Sequence, residues 1–175
     1  MIPARLERRL LSSPAHRCHM IEKAVTSPAD AVVQDLENAE PLEEKITAWA
    51  NVIRALTELE FEGRLREVRM NGLNPPFTYR DLIEVMAAAG GRLDLLMRPK
   101  ANVDRDVQFG KTLQVEAAHG STQATGVEVQ IETAARVLNV REIAAASPRL
   151  KALLSGPGES VAARQTHRRT RCLRR

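Results

Sequence analysis

Aromatic side chains are scarce here: one Trp, one Tyr and three Phe among 175 residues, 3% of the chain. With 43% of residues hydrophobic, the core must therefore be built from aliphatic side chains. Cysteine is rarer still. Cys18 and Cys172 have neither metal-binding nor redox spacing, so a reducing, cytoplasmic setting is expected. Long apolar runs are missing, which excludes a membrane-spanning helix. The N-terminus carries Arg5, Arg8 and Arg9 but no apolar segment, so no secretory signal is expected. Glu7 interrupts the basic stretch that a mitochondrial presequence would need.

Acid is missing from one place. Residues 161–175, VAARQTHRRTRCLRR, hold six arginines and no carboxylate. The formal net charge of +4 comes from this tail; the remainder carries 20 basic and 22 acidic residues. The tail reads as disordered. It has no interleaved aromatics and no recognition fold, so nucleic acid is not an expected partner. The expected organisation is a folded domain over residues 1–160, followed by the basic tail 161–175.

What is present is an alternation of strand and helix. Strands are expected near 10–13, 31–37, 67–71, 93–99, 127–132 and 151–155. The second is mostly apolar, as a buried parallel strand should be. Between them, helices are expected at Met20–Ala24, from Pro41 along Ile46, Trp49, Ala50, Ile53 and Leu56, from a Thr78/Asp81 capping box to Gly90-Gly91, and over 104–119. Strictly alternating elements demand parallel strands and right-handed crossovers. An open doubly wound sheet and a (β/α)8 barrel both satisfy that pattern.

Strand parity sorts the polar residues. Asp35 and Glu37 share one face of the second strand. Glu67, Arg69 and Asn71 share a face of the third, and Glu128, Gln130 and Glu132 a face of the fifth. Near the C-terminal ends of barrel strands such residues face the mouth, so Asp35, Glu37, Arg69 and Glu132 are candidates to converge there. In residues 126–159, the acids Glu132 and Glu159 follow two successive strands, with Asn139 and Glu142 forming a capping box between them. Two carboxylates on one rim would seat a hard divalent cation such as Mg²⁺.

IETAARVLNVREIAAASPRL followed by a Gly-Pro-Gly turn resembles the citrate lyase β-subunit-like family, with its malyl-CoA and citramalyl-CoA lyases, in the wider HpcH/HpaI aldolase group. LLSSPAHRCHMIEKA, ADAVVQDLENA, EVRMNGLNPP and MRPK continue the resemblance in the same order, over residues 9 to about 160. It implies an α/β fold, a (β/α)8 TIM barrel of which about six parallel βα units are present, so that the chain reads as C-terminally truncated. It also implies a Mg²⁺-dependent lyase, with Mn²⁺ as a substitute, that splits a hydroxyacyl-CoA thioester of the malyl, citramalyl or citryl type. The products are an acyl-CoA and a small 2-oxo acid, and a homo-oligomer is the implied assembly.

Residue by residue, Arg69 matches the arginine that binds the substrate carboxylate, and Glu132 the acid that ligates Mg²⁺ and borders the substrate. Glu159 falls where the family has its second metal ligand, an Asp. Asp35 and Glu37 match the acidic block beside the metal and its waters. The departures are Glu159 for Asp, Asn38 for the last Asp of the acidic block, Arg98 and Gln34 at usually apolar strand positions, and Trp49 where Arg is common. They leave a second reading, a non-catalytic remnant or interaction subunit of the same fold.

Overall fold

The computed structural model describes residues 7–37, 42–72, 77–101, 103–108 and 125–155. Its six strands are β1 (Leu10–Pro14), β2 (Ala31–Asp35), β3 (Leu65–Arg69), β4 (Leu95–Arg98), β5 (Gly126–Ile131) and β6 (Leu150–Ser155). They form one parallel sheet in the order β1-β2-β3-β4-β5-β6. A doubly wound sheet would reverse its strand order at a switch point. Unbroken sequential order is that of a barrel wall, so the fold is α/β, a partial TIM barrel.

The helices are α1 (Cys18–Val25), α2 (Lys45–Glu58) after a 3₁₀ turn at Leu42–Glu44, α3 (Phe77–Ala89), a helical turn α4 (104–108), α5 (Ala134–Leu138) and α6 (Val140–Ala145). Val68, Met70, Leu96 and Leu36 pack against Trp49, Val52 and Leu56 of α2 and Leu82, Val85 and Met86 of α3. Val127, Val129 and Ile131 meet Ile143 of α6. On the opposite, inner face, Leu10, Ala31, Leu65 and Leu95 close the N-terminal end with apolar contacts. Gly126 belongs to this end: a Cβ there would lie 2.7 Å from Leu95 Cδ2 and 2.8 Å from Lys151 Cγ, so a larger residue would have to displace both side chains.

Several boundaries differ from the sequence reading, each for a local reason. β2 ends at Asp35 because Asp35 Oδ1 accepts from the Glu37 N–H at 2.9 Å, turning the chain. β3 runs two residues earlier than expected. Leu65 N–H donates to Asp30 O at 3.0 Å, whereas Asn71 N–H leaves the sheet for a side-chain acceptor. Ile46 is 73% exposed, while Lys45 joins the buried stripe of α2 with Ala48, Trp49 and Val52. Neither capping box forms as expected. Thr133 caps α5, accepting from Arg136 N–H, and α6 begins at Asn139 without a side-chain capping bond. Thr78 instead donates to the carbonyls of Asn71 and Gly72. Pro41, most of the expected 104–119 helix and the basic tail lie outside the described residues.

Candidate active site

Asp35 and Arg69 are register partners at the C-terminal ends of β2 and β3. Arg69 Nε donates to Asp35 Oδ1 at 2.8 Å and Nη2 to Oδ2 at 2.5 Å, a bidentate pair. Its Nη1 points to Gln130 Oε1 of β5, 3.5 Å away. The pair is buried, with 14% of the Arg69 side chain and 1% of the Asp35 side chain exposed. Burial works against the guanidinium charge. The hydrogen bonds and charge of Asp35, backed by the charges of Glu37 and Glu132, outweigh it and raise the Arg69 pKa. Asp35, Glu37, Arg69 and Glu132 thus occupy one electrostatic neighbourhood at the strand ends.

Glu37 pairs with Lys100, whose Nζ lies 2.8 Å from Glu37 Oε1. Lys100 adopts a left-handed backbone, φ 55°, just past β4, a conformation costly for a residue with a Cβ. Glu132 is buried directly after β5, with Arg136 Nη1 3.4 Å from its Oε2, one helical turn on. Glu159 lies outside the described residues, as does Asn38.

Beneath this rim the interior is acidic. Glu67 of β3 and Glu128 of β5 are fully buried, and none of their four carboxylate oxygens meets a donor N–H among the described residues. Burial pushes the Glu67 pKa up to about 7 and that of Glu128 up to about 10, and the neighbouring carboxyls of Glu67 and Glu7 raise Glu128 further.

Sequence reasoning missed a second polar cluster behind the rim. Asp81 accepts from Trp49 Nε1 and from both the backbone N–H and Nδ2 of Asn71, each at 2.7 Å. Lys45 Nζ donates to Asn71 Oδ1 at 3.0 Å and to the Leu36 carbonyl. The available signal was Lys45 itself, a charge in helical register with Ala48, Trp49 and Val52.

Among the described residues no three His, Cys, Asp or Glu side chains converge to hold a metal ion. Mg²⁺ needs less: it keeps several waters and is bound through one or two carboxylates plus substrate oxygens. Glu132 is a buried carboxylate at the rim, a hard-oxygen donor that fits such a sparse site.

A parallel barrel wall with an arginine and carboxylates at its C-terminal rim has its polar residues where TIM barrels build their active sites. The chain belongs to the HpcH/HpaI aldolase/citrate lyase family, whose model matches residues 8–172. It is 41% identical over 162 residues to an L-malyl-CoA/β-methylmalyl-CoA lyase of Cereibacter sphaeroides, covering 91% of this chain and 51% of that one. It is 32% identical over 169 residues to a malyl-CoA/β-methylmalyl-CoA/citramalyl-CoA lyase of Chloroflexus aurantiacus, covering 93% and 48%. The CitE protein of Mycobacterium tuberculosis, solved with magnesium, acetoacetate and coenzyme A, superimposes with a TM-score of 0.68. It is 28% identical, over 90% of this chain and 52% of that one. The chain spans about half the length of the curated relatives it matches.

Proposed function

We propose that the chain forms the Arg69 side of a Mg²⁺-dependent carbon–carbon lyase site, one that cleaves a hydroxyacyl-CoA thioester to an acyl-CoA and a 2-oxo acid. The observation that carries this reading is the way Asp35 holds Arg69. A guanidinium has two edges able to grip a carboxylate. Asp35 takes the Nε–Nη2 edge and fixes the plane, so that the carboxylate of the oxo-acid half would take the Nη1–Nη2 edge in exchange for the long 3.5 Å bond from Nη1 to Gln130 Oε1.

In the cleavage, the substrate hydroxyl loses its proton as the C=O forms. The electrons of the broken C–C bond pass to the carbon next to the thioester, which then takes up a proton. Arg69 holds the carboxylate so that this bond is aligned, and Asp35 prevents the guanidinium from turning. Glu132, with Glu159, would hold Mg²⁺, while Asp35 and Glu37 border its waters; once bound, the ion supplies Lewis-acid polarisation of the oxygen that becomes the keto group. Mn²⁺ is the expected substitute. We assign a homo-oligomer as the working form, as the family resemblance implies, and the cytoplasm as its setting, as the scarcity of cysteine implies.

The test is incubation of the purified chain with malyl-CoA or citramalyl-CoA and Mg²⁺, following acetyl-CoA by mass spectrometry. Acetyl-CoA should form at a low rate, since the chain spans about half the length of its relatives, and Arg69→Lys, which loses the planar fork, should lower that rate further, by about 100-fold or more. A folded chain that releases no acetyl-CoA from either thioester would overturn the lyase reading.

A further inference from the structure

The bonds behind the rim form a closed ring. Leu36 N–H donates to Arg69 O at 2.8 Å, tying the ends of β2 and β3 together. The Leu36 carbonyl accepts from Lys45 Nζ, which also donates to Asn71 Oδ1. Asn71 then leads back through Met70 to Arg69. Met70 N–H donates to Met97 O at 3.2 Å, extending the tie to β4.

One side chain decides how that ring closes. The Asn71 amide could point either way, but its neighbours leave no choice. Asp81, an acceptor as a carboxylate, faces Nδ2; Lys45, a pure donor, faces Oδ1. Asp81 also accepts the Asn71 backbone N–H, so it sets both the peptide and the side chain two residues past Arg69. Asp81 is in turn held by Trp49 Nε1 from α2. Asp81, Asn71, Lys45 and Trp49 are all buried. This is more bonding than ending a strand requires, and none of these residues meets the rim directly.

We propose that Asp81 is a positioning residue for Arg69: through Asn71 it fixes the end of β3 from which Arg69 reaches the rim, and so sets the site's affinity for the oxo-acid carboxylate. The affinity half of this inference rests on the reading of Arg69 given above; the positioning half does not.

Asp81→Asn tests it. The amide keeps the shape but must turn an N–H2 group toward either Trp49 Nε1 or Asn71, both donors. Trp49→Phe removes one of those donors. In the double variant the amide oxygen can therefore accept from Asn71 again. Two readouts separate the claims: the Arg69 Nε–Hε cross-peak by ¹⁵N NMR without ligand, and the dissociation constant for pyruvate with Mg²⁺.

Asp81→Asn should shift or broaden the Arg69 cross-peak and weaken pyruvate binding by about 10-fold. Trp49→Phe, Asp81→Asn together should recover most of both. If Asp81→Asn does not fold, the folded double variant carries the test and must show the wild-type cross-peak. An unshifted Arg69 signal in folded Asp81→Asn, or a shifted one in the double variant, overturns the proposal. Failure of the wild-type chain to bind pyruvate, with the cross-peak behaving as expected, counts against the lyase reading and leaves the positioning role standing.

Discussion

The buried carboxyl pair Glu67 and Glu128 makes a quantitative prediction about pH. A carboxyl whose pKa is higher in the folded chain than in the unfolded one makes the folded state bind more protons, so stability falls as pH rises between the two values. For Glu128 that window opens at its ordinary value of 4.5 and runs to about 10, burial being the main cause. Three pH units inside it, at about 1.4 kcal/mol per unit, cost on the order of 4 kcal/mol. Glu128→Gln removes the titrating group and offers Glu67 an amide N–H donor. Glu7 and Arg69, the other charges acting on the pair, are unchanged, and burial still holds the Glu67 pKa up. The variant should melt roughly 8–16 °C above wild type near pH 7.5, taking about 2–4 °C per kcal/mol for a chain of this size. Near pH 4.5, where both carboxyls are protonated, the two should coincide. Calorimetric melts at the two pH values decide it. An equal gain at both, or none near pH 7.5, would refute the raised pKa of Glu128.

Other perturbations test separate parts of the structure. Arg98 is buried on the helix-facing side of β4, its Nε and Nη1 have no acceptor among the described residues, and burial lowers its pKa to about 10. Arg98→Met should therefore stabilise the chain, by roughly 1–2 kcal/mol in urea titrations. Thr133→Ala removes the cap of α5 and should cost about 0.5–2 kcal/mol in the same assay. Glu159→Asp should tighten Mg²⁺ or Mn²⁺ binding by restoring the shorter carboxylate; unchanged or weaker affinity would remove Glu159 from the metal site. Sedimentation velocity should show species larger than a monomer, and a monodisperse monomer with a cooperative melt would contradict the homo-oligomer assignment.

Much of the barrel was legible because period-2 alternation and strand–helix order are local signals. They placed all six strands and the inward faces carrying Asp35, Glu67, Arg69, Glu128 and Gln130. Alternation alone left the open sheet standing; the family resemblance selected the barrel, and the strand order, a tertiary fact, bore it out. Strand ends were less legible, because β2 and β3 stop where Asp35 and Asp81 accept backbone N–H groups, a competition invisible to hydrophobic periodicity. Asp81 illustrates the limit most clearly. Its spacing from Thr78 reads as a capping box, yet its partners, Trp49 and Asn71, lie 32 and 10 residues away. Lys45 was missed for a related reason: a charge is read as solvent-facing until something buried is found to accept its bonds. The Asp35–Arg69 bond follows from register, which parity alone does not fix.

The central claim is that Arg69 grips an oxo-acid carboxylate beside a metal held by Glu132. Isothermal titration of pyruvate into the wild-type chain, with and without Mg²⁺, tests it most directly alongside Arg69→Lys and Glu132→Ala. The account predicts binding that needs Mg²⁺, falls about 10-fold or more in Arg69→Lys, and disappears in Glu132→Ala. Binding that ignores Mg²⁺ and survives both substitutions would contradict it.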